Sequence, residues 1–129
     1  MAGIFTPVQQ IAPYHRIEYN RFTYMRAPLK PADFHILLAL ASGPRHGYGI
    51  MKEADRESGG GVRLEIGSLY RLLGRLLDAG LIEDADGDER RRYYRITRLG
   101  RRVLKSEAER LAGLVDLIRA RRLLPEVGD

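Results

Sequence analysis

Four residues able to hold a polyanion sit in one short run: Ser68, Tyr70, Arg71 and Arg75. Three more, Arg90, Arg91 and Arg92, follow the turn signal Asp86-Gly87-Asp88. The first group lies on a predicted helix over residues 66–80. Leu69, Leu72, Leu73 and Leu76 recur there at helical spacing, which turns Ser68, Arg71, Arg75 and Asp78 to the other face. Gly67-Ser68 would offer backbone N–H groups and a hydroxyl to a phosphate at the start of that helix. Tyr70 suits a sugar or a thymine methyl with its ring and a phosphate with its hydroxyl. Arg71 and Arg75 suit either a bidentate contact to guanine or a clamp on phosphate, and residue type does not separate the two.

The second group belongs to a predicted hairpin. Residues 81–84 form its outgoing strand and residues 90–97 its return, so the three arginines fall near the tip. There a wing meets the DNA backbone or minor groove. Side chains alternate along the return strand, and Ile96 marks the buried face. Tyr94 shares that face and is expected in the core. Asp84, Asp86, Asp88 and Glu89 would repel phosphate if all faced it, so some are expected to pair with the arginines.

The remaining elements position these two. A first helix is expected from Pro31, a favoured first-turn residue, with Phe34, Leu37, Leu38 and Ala41 inward; Gly43-Pro44 ends it. A second spans about residues 47–58, with Tyr48, Met51 and Ala54 inward, and Gly59-Gly60-Gly61 links it to the helix described above. Thr97 caps a long last helix over residues 98–124 that stops before Pro125. Its apolar positions Leu104, Ala108, Leu111, Val115 and Ile118 are spaced 4, 3, 4, 3 as in a coiled-coil seam, widened by Leu114 and Leu117. That surface exceeds what three short helices can cover. A second copy of the chain is the expected partner, against the alternative that residues 1–30 fold back on it. Those residues hold five aromatics, Phe5, Tyr14, Tyr19, Phe22 and Tyr24, and read as an arm. The organisation is thus an arm (1–30), a DNA-binding domain (31–97), a dimerisation helix (98–124) and a tail (125–129).

The chain has 129 residues, one domain's worth, with a net charge of +5. Of its 22 basic residues 19 are arginine, whose planar fork suits phosphate and guanine edges. There is no cysteine, so disulfides, thiolate catalysis and cysteine metal sites are excluded. No apolar run approaches membrane-spanning length and no signal-peptide pattern opens the chain, so a cytoplasmic protein is expected. His15, His35 and His46 lack metal-ligand spacing, and Ser58, Ser68 and Ser106 lack a nucleophile elbow. Residues 59–61 lack the Gly-Lys-Ser/Thr ending of a phosphate loop. The acidic residues at 84, 86 and 88 do not keep calcium-loop register. No catalytic, metal or cofactor site is expected.

Over about residues 34–118 the chain resembles the PadR-like family of transcriptional regulators. The resemblance rests on pieces in a fixed order. Leu37-Leu38-Ala39-Leu40, Gly43-Pro44 and His46-Gly47-Tyr48-Gly49-Ile50 are similar to the family's first two helices. Gly67-Ser68-Leu69-Tyr70, Leu73, Leu76 and Gly80-Leu81-Ile82 are similar to its recognition helix and the start of its wing. Tyr93-Tyr94-Arg95-Ile96-Thr97 and Gly100-Arg101-Arg102 are similar to its second wing strand and the start of its last helix. The resemblance implies a mainly α protein with a small β-hairpin wing. That is a winged helix-turn-helix domain plus a long C-terminal dimerisation helix. It also implies a homodimeric repressor on a palindromic promoter site in double-stranded DNA, with Ser68, Tyr70 and Arg75 at the DNA. A small-molecule effector is a further partner it admits, although the chain has no Trp and its last helix no aromatic. Two positions depart from the family pattern. Arg71 stands where Pro is usual, and Gly74 where a basic or polar residue is frequent, at about 1 kcal/mol against alanine. The competing function is a winged-helix module that binds another protein through its N-terminal arm.

Overall fold

The computed structural model describes residues 28–125, so most of the expected arm lies outside the described residues. Seven elements follow in order: α1 (Pro31–Ala41), β1 (Arg45–His46), α2 (Gly47–Glu57), α3 (Ile66–Asp78), β2 (Ile82–Ala85), β3 (Tyr93–Ile96) and α4 (Arg98–Ala120). The class is the expected one, mainly α with a β wing. The wing, however, is a three-stranded antiparallel sheet in the order β1-β3-β2. Arg45 and His46 pair with Tyr94 and Tyr93. A two-residue strand carries no readable period, and only the neighbouring strand reveals it. On the other side Ile82 faces Ile96 and Ala85 faces Tyr93.

One core joins the helices and the sheet. Ile36, Leu37, Leu40, Ile50, Leu69, Leu73, Leu76, Leu81, Ile82 and Tyr94 are fully buried. Tyr94 and Ile96 thus take the inward face expected of them. On α1 the buried set is Ile36, Leu37, Ala39 and Leu40, while Phe34, Leu38 and Ala41 pack at its margin. The expected face is incomplete because α2, α4 and β3 all pack on α1, and a helix enclosed on several sides has no single inner stripe. On α2, Ile50 and Ala54 are buried and Tyr48 is 60% exposed, which corrects its inward placement. Leu69, Leu72, Leu73 and Leu76 of α3 face in, as their spacing predicts.

Local bonds set the ends of these elements. The backbone at Gly80 has φ +79°, and the Gly80 and Leu81 N–H groups donate to the carbonyls of Leu77 and Leu76 (3.0 Å each), a glycine-terminated helix end. Thr97 Oγ1 accepts from Gly100 N–H at 3.0 Å, capping α4, and donates to the Gly80 carbonyl at 2.7 Å. The Thr97 N–H donates to the Leu81 carbonyl at 3.0 Å. The ends of α3 and α4 are therefore tied through one residue. Gly100 completes the joint: a Cβ there would run into the Leu81 carbonyl oxygen and lie 2.8 Å from Ile96 Cγ1. Two arginines satisfy carbonyls at the end of α1, Arg45 Nε to Ala39 (2.8 Å) and Arg101 Nη2 to Ala41 (3.1 Å).

Helix α4 ends at Ala120, four residues before the expected stop, in a turn where Arg122 has φ 60°. Its first half packs on the core through Val103 and Leu104. Glu107 is buried and accepts both arms of the Arg110 guanidinium, at 2.9 and 2.6 Å. That pairing holds the Glu107 carboxyl below its ordinary range. Beyond it the helix carries apolar residues that the described chain leaves uncovered, with Leu114 40% and Leu117 45% exposed.

Two measurements test this packing. Gly100→Ala should lower stability by about 3 kcal/mol, because backbone rather than a flexible side chain stands in the way. Gly74→Ala, on an open part of α3, should raise it by up to about 1 kcal/mol. Equal urea midpoints for the two variants would contradict the Gly100 joint. A carboxylate with a depressed pKa stabilises the fold above its ordinary value and loses that contribution as pH falls through the depressed one. Glu107→Gln should therefore lie below the parent chain in unfolding midpoint near neutral pH. The gap should close on acidification, below the ordinary glutamate range.

Candidate nucleic-acid interface

Helices α2 and α3, joined by residues 58–65, form a helix-turn-helix, and the wing folds back beside the start of α2. The crossing depends on Gly47. A Cβ there would lie 2.6 Å from Tyr70 Oη and 3.3 Å from a Leu69 methyl, so only glycine lets the Tyr70 ring lie across the first turn of α2. Tyr70 is 50% exposed in that position. His46 caps α2, its Nδ1 accepting from Gly49 N–H at 3.0 Å. Its ring meets Tyr93 edge-on, centroids 5.3 Å apart.

The wing loop is ordered by its own acids. Asp88 Oδ1 accepts from the Arg90 and Arg91 N–H groups, at 2.9 and 2.8 Å. Gly87 lies against the Tyr93 ring, where any Cβ would clash. Asp84 binds Arg92 in a fork, Nε–Oδ1 2.6 Å and Nη2–Oδ2 3.1 Å, and the guanidinium sits 5.2 Å from the centre of the Tyr94 ring. Glu83 accepts from Arg95 Nε at 2.8 Å. The expected pairing of acids with arginines thus takes a definite form. Asp84 is held below its ordinary carboxyl range by the Arg92 hydrogen bonds. Arg91 turns inward, Nη1 lying 2.8 Å from His46 Nε2.

These groups line one cleft of about 420 Å³: His46, Gly47 and Tyr48 from the start of α2, Tyr70 from α3, and Arg90, Arg91 and Arg92 from the wing. Cations on one wall, with tyrosine hydroxyls and a histidine on the other, make it a place for an anion. Of the residues singled out in the sequence, Tyr70 and the three wing arginines come together here. Ser68, Arg71 and Arg75 lie on α3 but do not line the cleft. Arg71 is exposed and Ser68 half-buried. Arg75 is also half-buried, and its charge acts on Asp33, a buried carboxyl in the first turn of α1. Burial raises the Asp33 pKa, and Lys30 and Arg75 temper the rise.

His46 and Tyr48 are the cleft residues that the sequence reading left out. The available signal was Gly47: a glycine opening an amphipathic helix marks a close approach, and its neighbours flank whatever approaches. Among the described residues no cluster of histidine and carboxylate side chains could hold a metal, and no helix is long and apolar enough to cross a membrane.

Comparison with known proteins agrees with this fold. The model of the transcriptional regulator PadR-like family matches residues 36–106. A transcriptional regulator from Clostridium thermocellum is 31% identical with a TM-score of 0.59, the match covering 69% of this chain and 87% of that one. Bacillus subtilis PadR in complex with operator DNA shares the fold at 23% identity and a TM-score of 0.54, over 60% of this chain and 46% of that one. An uncharacterized 37.1 kDa protein in transposon TN4556 of Streptomyces fradiae is 40% identical over 83 residues. That match takes in 64% of this chain and 24% of the longer protein, so this chain corresponds to about a quarter of it.

The charge pairing in the wing can be read by titration. The Asp84 carboxyl carbon, followed by NMR, should titrate below the ordinary aspartate value. In Arg92→Gln it should return towards that value. The pair is present at neutral pH and lost only as pH falls through the depressed value. An ordinary titration in both proteins would show that the fork does not form.

Proposed function

The chain belongs to the PadR-like family of transcriptional regulators, and from that premise we propose that it is a sequence-specific homodimeric repressor gripping double-stranded DNA at a palindromic promoter site. The observation that carries the reading is the convergence of Tyr70, Arg90, Arg91 and Arg92 beside the start of α2. In it α3 enters the major groove and the wing follows the backbone. Ser68 and Arg71, on the outer face of α3, approach bases and phosphate. Arg90 and Arg91 contact phosphate, and Arg92 does so while sharing its charge with Asp84. Arg75 contributes from the margin of the groove, partly occupied by its electrostatic link to Asp33. The protein works in the cytoplasm, where the chromosome lies, and no catalytic step is part of the reading.

The dimer in this proposal forms through α4. Leu111, Leu114, Val115 and Ile118 supply the seam, with Ala108 beside it and Leu104 anchoring the helix in its own core. An exposed leucine row on an otherwise charged helix is costly in water, and a second copy removes that cost. Two copies also double the recognition surface, with half-sites about one helical turn of DNA apart.

Duplex titrations across salt concentrations test the DNA contacts. Arg91→Ala should weaken binding to all sequences alike and reduce the log–log salt slope by about one. Arg71→Ala should change the preferred sequence if Arg71 reads a base. A parent chain with no preference for its own upstream region over random duplex would end the repressor reading. For the dimer, Leu114→Glu combined with Leu117→Glu should give a folded monomer by sedimentation, with operator affinity at least tenfold lower. A parent chain that sediments as a monomer at micromolar concentration would refute the seam.

A further inference from the structure

Resting on the DNA-binding reading above, we propose that His46 is a phosphate ligand at the DNA interface, acting with Arg91 across the cleft between the start of α2 and the wing. The argument begins with the imidazole proton. Nδ1 accepts from Gly49 N–H at 3.0 Å, which caps α2. A neutral imidazole whose Nδ1 accepts carries its proton on Nε2. That nitrogen lies 2.8 Å from Arg91 Nη1, and a guanidinium has donors only. The neutral imidazole and the guanidinium thus face each other as two donors, a contact that an acceptor oxygen taking both N–H groups would relieve. A group with several lone pairs and negative charge pairs with both at once, and a phosphate oxygen is such a group.

The surroundings fix this pair in advance. The edge of the His46 ring is held against Tyr93, at an interplanar angle of 90°. The Arg91 backbone is held by Asp88. Tyr70 and Arg90 form further walls of the same cleft, so the site has both charge and hydroxyl donors. A contact of this kind places the wing on the duplex without reading sequence. It also ties wing position to the start of α2, because one imidazole caps the helix with one nitrogen and meets phosphate with the other.

The decisive variant is His46→Asn. Asparagine caps a helix as well as histidine or better but lacks the Nε2 donor. The unfolding midpoint should stay unchanged, and affinity for every duplex should fall about five- to tenfold. In the parent chain, a duplex scanned with single neutral methylphosphonates should show one wing-facing position with a loss of that size. In His46→Asn the same substitution should cost nothing further. Equal affinity of the two proteins for salt-sensitive duplex would overturn the His46 assignment while leaving DNA binding intact. Absence of salt-sensitive duplex binding by the parent would instead remove the reading it rests on. If the variant is less stable, the His46 ring resonances of the parent decide. They should move on adding duplex and stay put with the duplex neutralised at the coupled phosphate. Saturable movement with inorganic phosphate but none with duplex would mean a free-anion site and overturn the DNA assignment.

Discussion

The joint at Thr97 is the constraint on which the rest of the molecule turns. One side chain caps α4 and bonds the Gly80 carbonyl in the turn that ends α3, and its backbone closes the base of the wing on Leu81. Three elements meet there: the end of α3, the wing and the long helix α4. Gly100 makes the meeting possible, since α4 lies on the Leu81 carbonyl with no room for a side chain. Thr97 and Gly100 thus fix the start of α4 against the turn after α3 and the end of β3.

The arginine excess is divided between building and binding. Arg45 and Arg101 satisfy carbonyls at the end of α1, Arg110 neutralises buried Glu107, and Arg95 pairs with Glu83 across the wing strands. Arg92 is half committed, forked to Asp84 and lying over Tyr94. Arg71 and Arg90 have no ion pair among the described residues. The acids near the turn, which looked like an obstacle to binding phosphate, order the loop: Asp88 fixes the backbone under Arg90 and Arg91. A wing with only basic residues would repel itself and stay open. The acids lower its net charge but hold the remaining cations in place.

Much of the fold was legible because it is local. The leucine spacing of α3, the Thr97 cap, the glycine at the end of α3 and the alternation that buries Tyr94 all follow from neighbours a few residues apart. The wing arginines and Tyr70 were legible as candidates for the same reason, and the structure lines one cleft with them. Three features were not. Strand β1 has two residues and exists only by pairing with β3. The inner face of α1 is blurred because three elements surround it. Tyr48 looks like a core aromatic by type, yet the register of Ile50 and Ala54 turns it outward into the cleft.

The sequence by itself determined which segments are helices, about where they begin, which face of α3 is apolar, and the family to which the chain belongs. These are set by spacings of three to four residues, a range over which the backbone period alone decides which side chains share a face. Only the tertiary structure decided which charges meet. His46 and Arg91 are 45 positions apart, and Arg101 and Ala41 are 60 apart. No period relates such residues. They are brought together by the pairing of β1 with β3 and by the close approach at Gly100, so a pattern of basic residues becomes a cleft with particular donors.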